Sequence, residues 1–534
     1  MRETKVCSKL TIFGSDRSLK LPTHSRRTAL AVWMQQPTAR TVNHRFGEGS
    51  VDVRLVLKLL RFCFMQPARC AIVAAILCAA PSLLQPQTTS NPSSQSPPSA
   101  ESPHLIHTKT EPEKPILPLP EFFARAAHKG IYFHTFLNEE LAANPKGGIN
   151  QGASASQYLT FGTGIDLQRL IGWQGGALHA IVIALSSNPL SENTIGGGID
   201  VQENATPFNL VRALNFTLEQ NFSLKEKDNL NLIAGRLGAT PYFMGNDLSC
   251  LFMNHAFCGP MYVFYQSTLS SVAPAPTWGG RAKFNATPNA YVEFGGFAID
   301  SNTIQASTSI FTWNTRGVTA INYLAEAGHA TTLAEQKMPH YYRLGVSYVD
   351  GPRPDVLLNT NGLPRFQYGG TPLDHRGETA FYATGAQVIR RPDPTPRPNL
   401  TLFGSMYYNF ADSEAMKYAI KAGIVQTGLF RRRTGDGVGF AVSPVAFTAK
   451  EVAYLNGMRA KGSGVGTVPS HEVVLEANYG YRLASGVIFR PNLQYIVRPD
   501  SRVTPMFPHN ISNVFVIGLQ VNANLDALFG LPHH

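Results

Sequence analysis

At 534 residues the chain is long enough for several domains or one large one, and only 15% of it is charged, well below the ~25% usual in globular chains. Mean hydropathy is −0.09, which excludes a polytopic helical membrane protein but not a β-barrel, where half of every strand faces a polar lumen. The formal charge of +11 is an upstream property: residues 70–534 hold 33 of the 46 basic and 31 of the 35 acidic residues, so no nucleic-acid partner is implied.

Residues 70–80 (CAIVAAILCAA) form an uncharged run too short to span a bilayer but suited to a signal-peptide core. Met65 and Arg69 precede it, and Ala79-Ala80 close it. Translation is therefore expected to begin near Met65, with residues 1–64 an upstream extension outside the fold and 65–82 a cleaved signal peptide. A genuine cytoplasmic or targeting extension is the alternative. Cys7, Cys63, Cys70 and Cys78 lie in this leader, which leaves Cys250 and Cys258 in the exported part. One closely spaced pair in an oxidising compartment reads as a disulfide.

Residues 83–120 are rich in Pro, Ser, Thr and Gln and cannot bury enough surface to offset chain entropy, so they read as a periplasmic linker. Residues 121–129 (EFFARAAHK) fit two helical turns ended by Gly130. From Ile131 onward the texture is strand and turn. Candidate strands are 157–167, 178–185, 212–219, 230–237, 290–300, 341–349, 381–390, 400–408, 422–430 and 514–525. The segment 178–185 alternates poorly, and no amphipathic helix of ordinary length stands out between the strands.

The clearest hairpin is 471–500. Val473, Leu475, Ala477, Tyr479 and Tyr481 share one face, opposed by Val474, Glu476, Asn478, Gly480 and Arg482. After a turn at Ser485-Gly486, Val487, Phe489, Pro491, Leu493, Tyr495 and Val497 oppose Arg490, Asn492, Gln494 and Arg498. Each arm has about the 9–11 residues that a tilted strand needs to cross a bilayer, with aromatics near the ends of the apolar faces. A soluble β-sandwich hairpin could look the same. The length of the strand-rich region and the lack of a dividing linker favour a barrel, and roughly 25 residues per strand gives about 16 strands over 121–534. The expected fold is thus all-β, a transmembrane antiparallel barrel.

Enzyme signatures are poorly represented. His471-Glu472 lacks a second histidine at zinc-protease spacing, Gly162-Thr163-Gly164 and Gly437-Val438-Gly439 lack a dinucleotide context, and no histidine pairs with cysteine at zinc spacing. No catalytic residue, metal or cofactor is expected.

Several stretches resemble the carbohydrate-selective porin family (OprB type). They are Gly130-Ile131 with Asn138-Glu139-Glu140 and Gly147-Gly148; 232–243 (LIAGRLGATPYF) with Asn254; Thr277-Trp278-Gly279-Gly280-Arg281; 472–500; and Val516-Ile517-Gly518-Leu519. Together they cover most of 123–529. Two features depart from the family: Phe529 is followed by five more residues, and the Cys250–Cys258 segment looks like a subfamily trait. The resemblance implies an outer-membrane protein surrounded by lipid that passes small carbohydrates such as monosaccharides, polyols or sugar acids. A monomer and a homo-oligomer such as a trimer both stay open. A non-conducting outer-membrane barrel (an enzyme or scaffold) and a secreted glycan-binding β-protein are the rival functions.

Sugars need dense hydrogen bonding and aromatic surfaces. Alternation offers Glu476, Asn478, Arg482, Arg490, Asn492 and Gln494 as lumen contacts. Arg236, Trp278 and Arg281 flank the connection most expected to fold inward, although Trp278 suits a membrane girdle equally. The Cys250–Cys258 disulfide is expected either to stiffen that inward loop, with Phe252 and Phe257 against the wall and Asn254 on the sugar path, or to sit in an outer surface loop.

Overall fold

The computed structural model describes residues 121–531 apart from 207–208, 225–228, 259–274, 306–311 and 393–398. The expected upstream extension, signal peptide and linker lie outside the described residues. An opening helix, Glu121–His128, ends at Gly130, which takes a left-handed φ of 85°. This agrees with the two turns read from the sequence.

Sixteen strands follow. They are β1 Ile131–Lys146, β2 Ala153–Asp166, β3 Gly176–Ser187, β4 Leu210–Ser223 and β5 Asn229–Leu237. Next come β6 Thr277–Asn285, β7 Ala290–Asp300, β8 Val318–Ala330, β9 His340–Asn359, β10 Pro372–Arg390 and β11 Asn399–Asn409. The set ends with β12 Met416–Thr427, β13 Gly437–Phe447, β14 His471–Ala484, β15 Val487–Val497 and β16 Val514–Asn524. Each strand pairs antiparallel with its neighbours in sequence, and β1 pairs with β16 in a register that sets Leu141 opposite Leu519 and Leu137 opposite Ala523. Closure leaves no unpaired edge, the condition for a sheet to exist in hydrocarbon.

Side chains alternate between two very different surroundings. Phe294, Leu344 and Leu493 are 61%, 58% and 49% exposed on the outer wall, while Asn322, Lys421, Glu476 and Gln494 are buried inside. Apolar outside and polar inside is the arrangement of a barrel whose outer wall meets lipid. On β15 the outer face carries Leu493 and Tyr495, and the inner face carries Arg490, Asn492 and Gln494. Leu493→Arg is therefore expected to cost about 2–4 kcal/mol when it lies near the bilayer midplane. Urea titration of the bilayer-inserted protein measures this, and a cost below about 0.5 kcal/mol would move Leu493 off the lipid face.

The segment 178–185 alternates poorly because both of its faces are apolar: Ile183 and Leu185 also pack inward, on Leu210 and Tyr158. Four strands escaped the sequence reading as separate candidates, namely β1, β6, β8 and β13. The 422–430 candidate is corrected to Met416–Thr427. A further correction is the helix Ala449–Lys461 in the β13–β14 connection. Its apolar residues make no broad stripe, so periodicity misses it. Its start was legible as a cap, since Thr448 Oγ1 accepts from Glu451 N at 3.1 Å in a Thr-x-x-Glu pattern.

Connections at one rim run from two residues (485–486) to nine, and those at the other from six to 39. In the longest, 238–276 between β5 and β6, the described stretch 238–258 turns into the barrel.

Candidate functional site

The described part of 238–276 crosses the lumen and is tied to the inner wall along its length. Tyr242 lies over the Arg281 guanidinium at 4.8 Å, and Phe243 meets Phe297 edge to face at 5.8 Å. Met244 N donates to Glu326 Oε2 at 2.9 Å, Arg343 Nη1 donates to Gly245 O at 3.2 Å, and Asn246 Nδ2 donates to Thr384 Oγ1 at 3.2 Å. On the opposite wall, Asn478 Nδ2 donates to Leu251 O at 2.8 Å and Lys421 Nζ to Phe257 O at 2.7 Å. The loop thereby touches strands from β6 round to β15.

Its firmest anchor is Glu476 on β14. The two carboxylate oxygens accept from Met253 N at 2.8 Å and Asn254 N at 2.9 Å. Hydrogen bonds to a charged acceptor are worth about 1.5–3 kcal/mol each, and burial strengthens them. Asn254 Nδ2 then donates to Gln494 Oε1 at 2.8 Å, and Asn492 Nδ2 donates to Met253 Sδ at 3.4 Å. Two wall glycines make this close approach feasible. A Cβ on Gly439 would stand 2.9 Å from the Phe252 ring, and one on Gly518 would stand 2.6 Å from Met253 Cε.

Cys250 and Cys258 form a disulfide that closes this segment. Inside the ring, Asn254 Oδ1 accepts from Ala256 N at 2.8 Å and Asn254 O accepts from Phe257 N at 2.9 Å. Phe252 and Phe257 are completely buried, 5.3 Å apart, with Phe252 also 5.6 Å from Phe403 of β11. Of the two placements left open by the sequence, the structure has the inward one.

A second connection, 188–209 between β3 and β4, covers the remaining wall. Gln494 Nε2 donates to Val201 O at 2.9 Å, Gln202 Nε2 donates to Glu140 O at 2.9 Å, and Asn138 Nδ2 donates to Glu203 Oε1 at 3.0 Å. Burial pushes the Glu203 carboxyl up from its ordinary range, partly offset by the nearby His255 and by the Asn138 bond. The two inward loops meet where His255 N donates to Asp200 O at 2.9 Å.

The residues expected to contact sugar thus divide into groups. Glu476, Asn492, Gln494 and Asn254 are buried and occupied with loop anchoring. Asn254 in particular is fully covered instead of lying open on a solute path. Arg281 is inside, ion-paired to Glu293 at 3.1 Å and bonded to Asn231. Arg236 is buried and Trp278 partly exposed, yet the ladder sets them on one face. They are register partners, Arg236 also pairs with Phe216, and residues opposite each other in a ladder share a face. Trp278 and Phe216 are 37% and 45% exposed on the outer wall. Trp278 Nε1 donates to Trp313 O at 3.1 Å, and Arg236 Nη2 to Pro276 O at 2.9 Å. Trp278 thus stands on the outer face, the face that its girdle alternative requires.

Asn478, Arg482 and Arg490 border a hollow of about 120 Å³ between the loop and the short-turn rim, together with Asp247, Tyr341 and Leu251. Sequence reasoning missed Asp247, Tyr341, Glu326, Arg343 and Lys421. Lys421 did carry a signal, as a charged residue between Ile420 and Ala422 in the apolar stretch 419–425. Asp247 carried none, because its place depends on the path of a loop.

Comparison with known proteins agrees with this geometry. The family described as "Carbohydrate-selective porin, OprB family" matches residues 150–525. Porin B of Pseudomonas aeruginosa is 23% identical over 407 residues, which covers 74% of this chain and 87% of the relative. Among solved structures, the high-pH structure of OprB from Pseudomonas putida superposes with a TM-score of 0.68 at 23% identity, covering 75% of this chain and 95% of that one. That likeness shows the fold.

Proposed function

Since the chain belongs to the carbohydrate-selective porin family, OprB type, and is an outer-membrane barrel, we infer that it is a channel that conducts small carbohydrates passively: monosaccharides, polyols or sugar acids. The observation that carries this reading is the described stretch 238–258, which crosses a closed barrel with Phe243, Phe252 and Phe257 turned to the wall. Narrowing the lumen brings a solute within hydrogen-bonding range of protein groups, and selectivity then follows from the polar and aromatic groups that line the path. Glu476, Asn492, Gln494 and Asn254 build this constriction, whereas Asn478, Arg482, Arg490 and Tyr341 line the space a solute enters. All these groups belong to one chain, so the reading applies to a monomer and to a homo-oligomer alike.

Reconstitution into planar bilayers tests it. Discrete conductance steps that fall on addition of glucose, a polyol or a sugar acid are expected. A barrel that conducts no ions, or whose conductance ignores every one of these solutes, contradicts it.

A further inference from the structure

The hollow beneath the loop contains an arginine held in an unusual way. Arg490 Nη1 donates to Gln520 Oε1 at 2.6 Å and to Asn522 Oδ1 at 2.8 Å. Both acceptors are neutral amides, and their orientation is fixed from behind. Gln520 Nε2 donates to Glu140 Oε1 at 3.0 Å, and Asn522 Nδ2 donates to Asn138 Oδ1 at 2.9 Å. The guanidinium is therefore locked through a single nitrogen. Nε and Nη2, the edge that grips a carboxylate in a bidentate fashion, have no partner among the described residues, while Arg490 lines the hollow. Gly480 faces this edge, and even a Cβ there would stand 3.6 Å from Nε.

The nearby carboxylate does not fill this role. Glu476 uses both oxygens on the loop N–H groups of Met253 and Asn254, and no carboxylate of the described residues is ion-paired to Arg490. Arg482 brings a second positive charge to the lining, which also holds Asp247, while Glu476 lies electrostatically close to Arg490 without bonding to it. Tyr341, Leu251 and Ile488 supply apolar surface beside these charges, suited to the C–H face of a ring. A fixed donor edge, two arginines and an apolar wall describe a receptor for a ring that carries both hydroxyls and a carboxylate.

We propose that this hollow is a carboxylate subsite centred on Arg490, so that the pore favours sugar acids over neutral sugars of the same size. The proposal rests on the carbohydrate-pore reading above and narrows its substrate class. Because the donor edge needs no rearrangement, little ordering opposes binding. A charge-assisted bidentate contact then corresponds to at least about tenfold in affinity over a neutral hydroxyl.

The test is single-channel block by glucuronate and by glucose in the full-length reconstituted protein. Wild type is expected to bind glucuronate at least about tenfold more tightly than glucose. Arg490→Gln is expected to bring the ratio close to one, and Arg490→Lys, which keeps the charge but not the fork, to leave it in between. Heat-modified migration on gels establishes that each variant has folded, and the wild-type ratio stands without any variant. If glucose blocks and glucuronate blocks no better, or if Arg490→Gln keeps the preference, the carboxylate subsite is overturned while the carbohydrate pore survives. If neither solute blocks, both readings fall together.

Discussion

Replacing Glu476 with alanine is expected to raise single-channel conductance at least about twofold and to weaken sugar block, while the barrel itself still folds. The side chain accepts two backbone N–H groups of the loop, Met253 and Asn254, in a fully buried setting. Truncation removes two charge-assisted bonds of about 1.5–3 kcal/mol each and leaves two buried donors without acceptors. The loop can relieve that cost by leaving the wall, since its other contacts on this side are single hydrogen bonds such as Asn478 Nδ2 to Leu251 O. Glu476→Gln does not restore the anchor: an amide offers one oxygen, and its NH₂ would face the second N–H head on. The barrel survives because β14 keeps its ladders to β13 and β15, which do not involve this side chain. Single-channel recording of both variants decides the matter. Wild-type conductance in Glu476→Ala would remove Glu476 as the anchor of the constriction.

Much of this architecture is legible in the sequence because lipid and lumen impose a period of two. The 471–500 hairpin shows it best: the Ser485-Gly486 turn, the outward Leu493 and Tyr495 and the inward Arg490, Asn492 and Gln494 all stand where alternation puts them. Alternation fails where the physical premise fails. Strand β3 is apolar on both sides because Ile183 and Leu185 face a small internal cluster instead of water. Strand β8 alternates in burial, but its inner face mixes Ala320 and Leu324 with Asn322 and Glu326, so the sequence shows no clean polar–apolar period. The site is less legible than the wall. Alternation says which residues face inward but not which of them a loop will cover. Glu476 and Arg490 look equivalent in the sequence, yet one is committed to Met253 and Asn254 while the other keeps an open donor edge. Choosing between the pore and the outer wall for Arg236 and Trp278 was not possible for a related reason. Proximity in sequence to an inward loop says nothing about the face on which a strand residue stands, and only the register with Phe216 reveals it.

The double substitution Cys250→Ser, Cys258→Ser is expected to leave a folded barrel whose pore is noisier and binds sugar more weakly, by threefold or more. The disulfide closes a ring around seven residues, two of which, Phe252 and Phe257, are fully buried against the wall. In the chain-entropy model a ring of this size is worth on the order of 2–3 kcal/mol, acting on the open form of the loop. That converts to roughly 30- to 150-fold in the equilibrium for local opening. Global stability changes little, because the barrel ladders carry it and the loop can open by itself. Tight seating also limits what a reductant can do. Cys258 is only 3% exposed, so added thiol is expected to act slowly and only when the loop has lifted. Reduction of wild type should therefore reproduce the double mutant after long exposure, and faster in Glu476→Ala, where the loop is loose. Open-channel noise and glucose block, recorded on the same reconstituted protein before and after reduction, give the measurement. A double mutant with wild-type noise and wild-type block would confine the disulfide to a structural part with no bearing on transport.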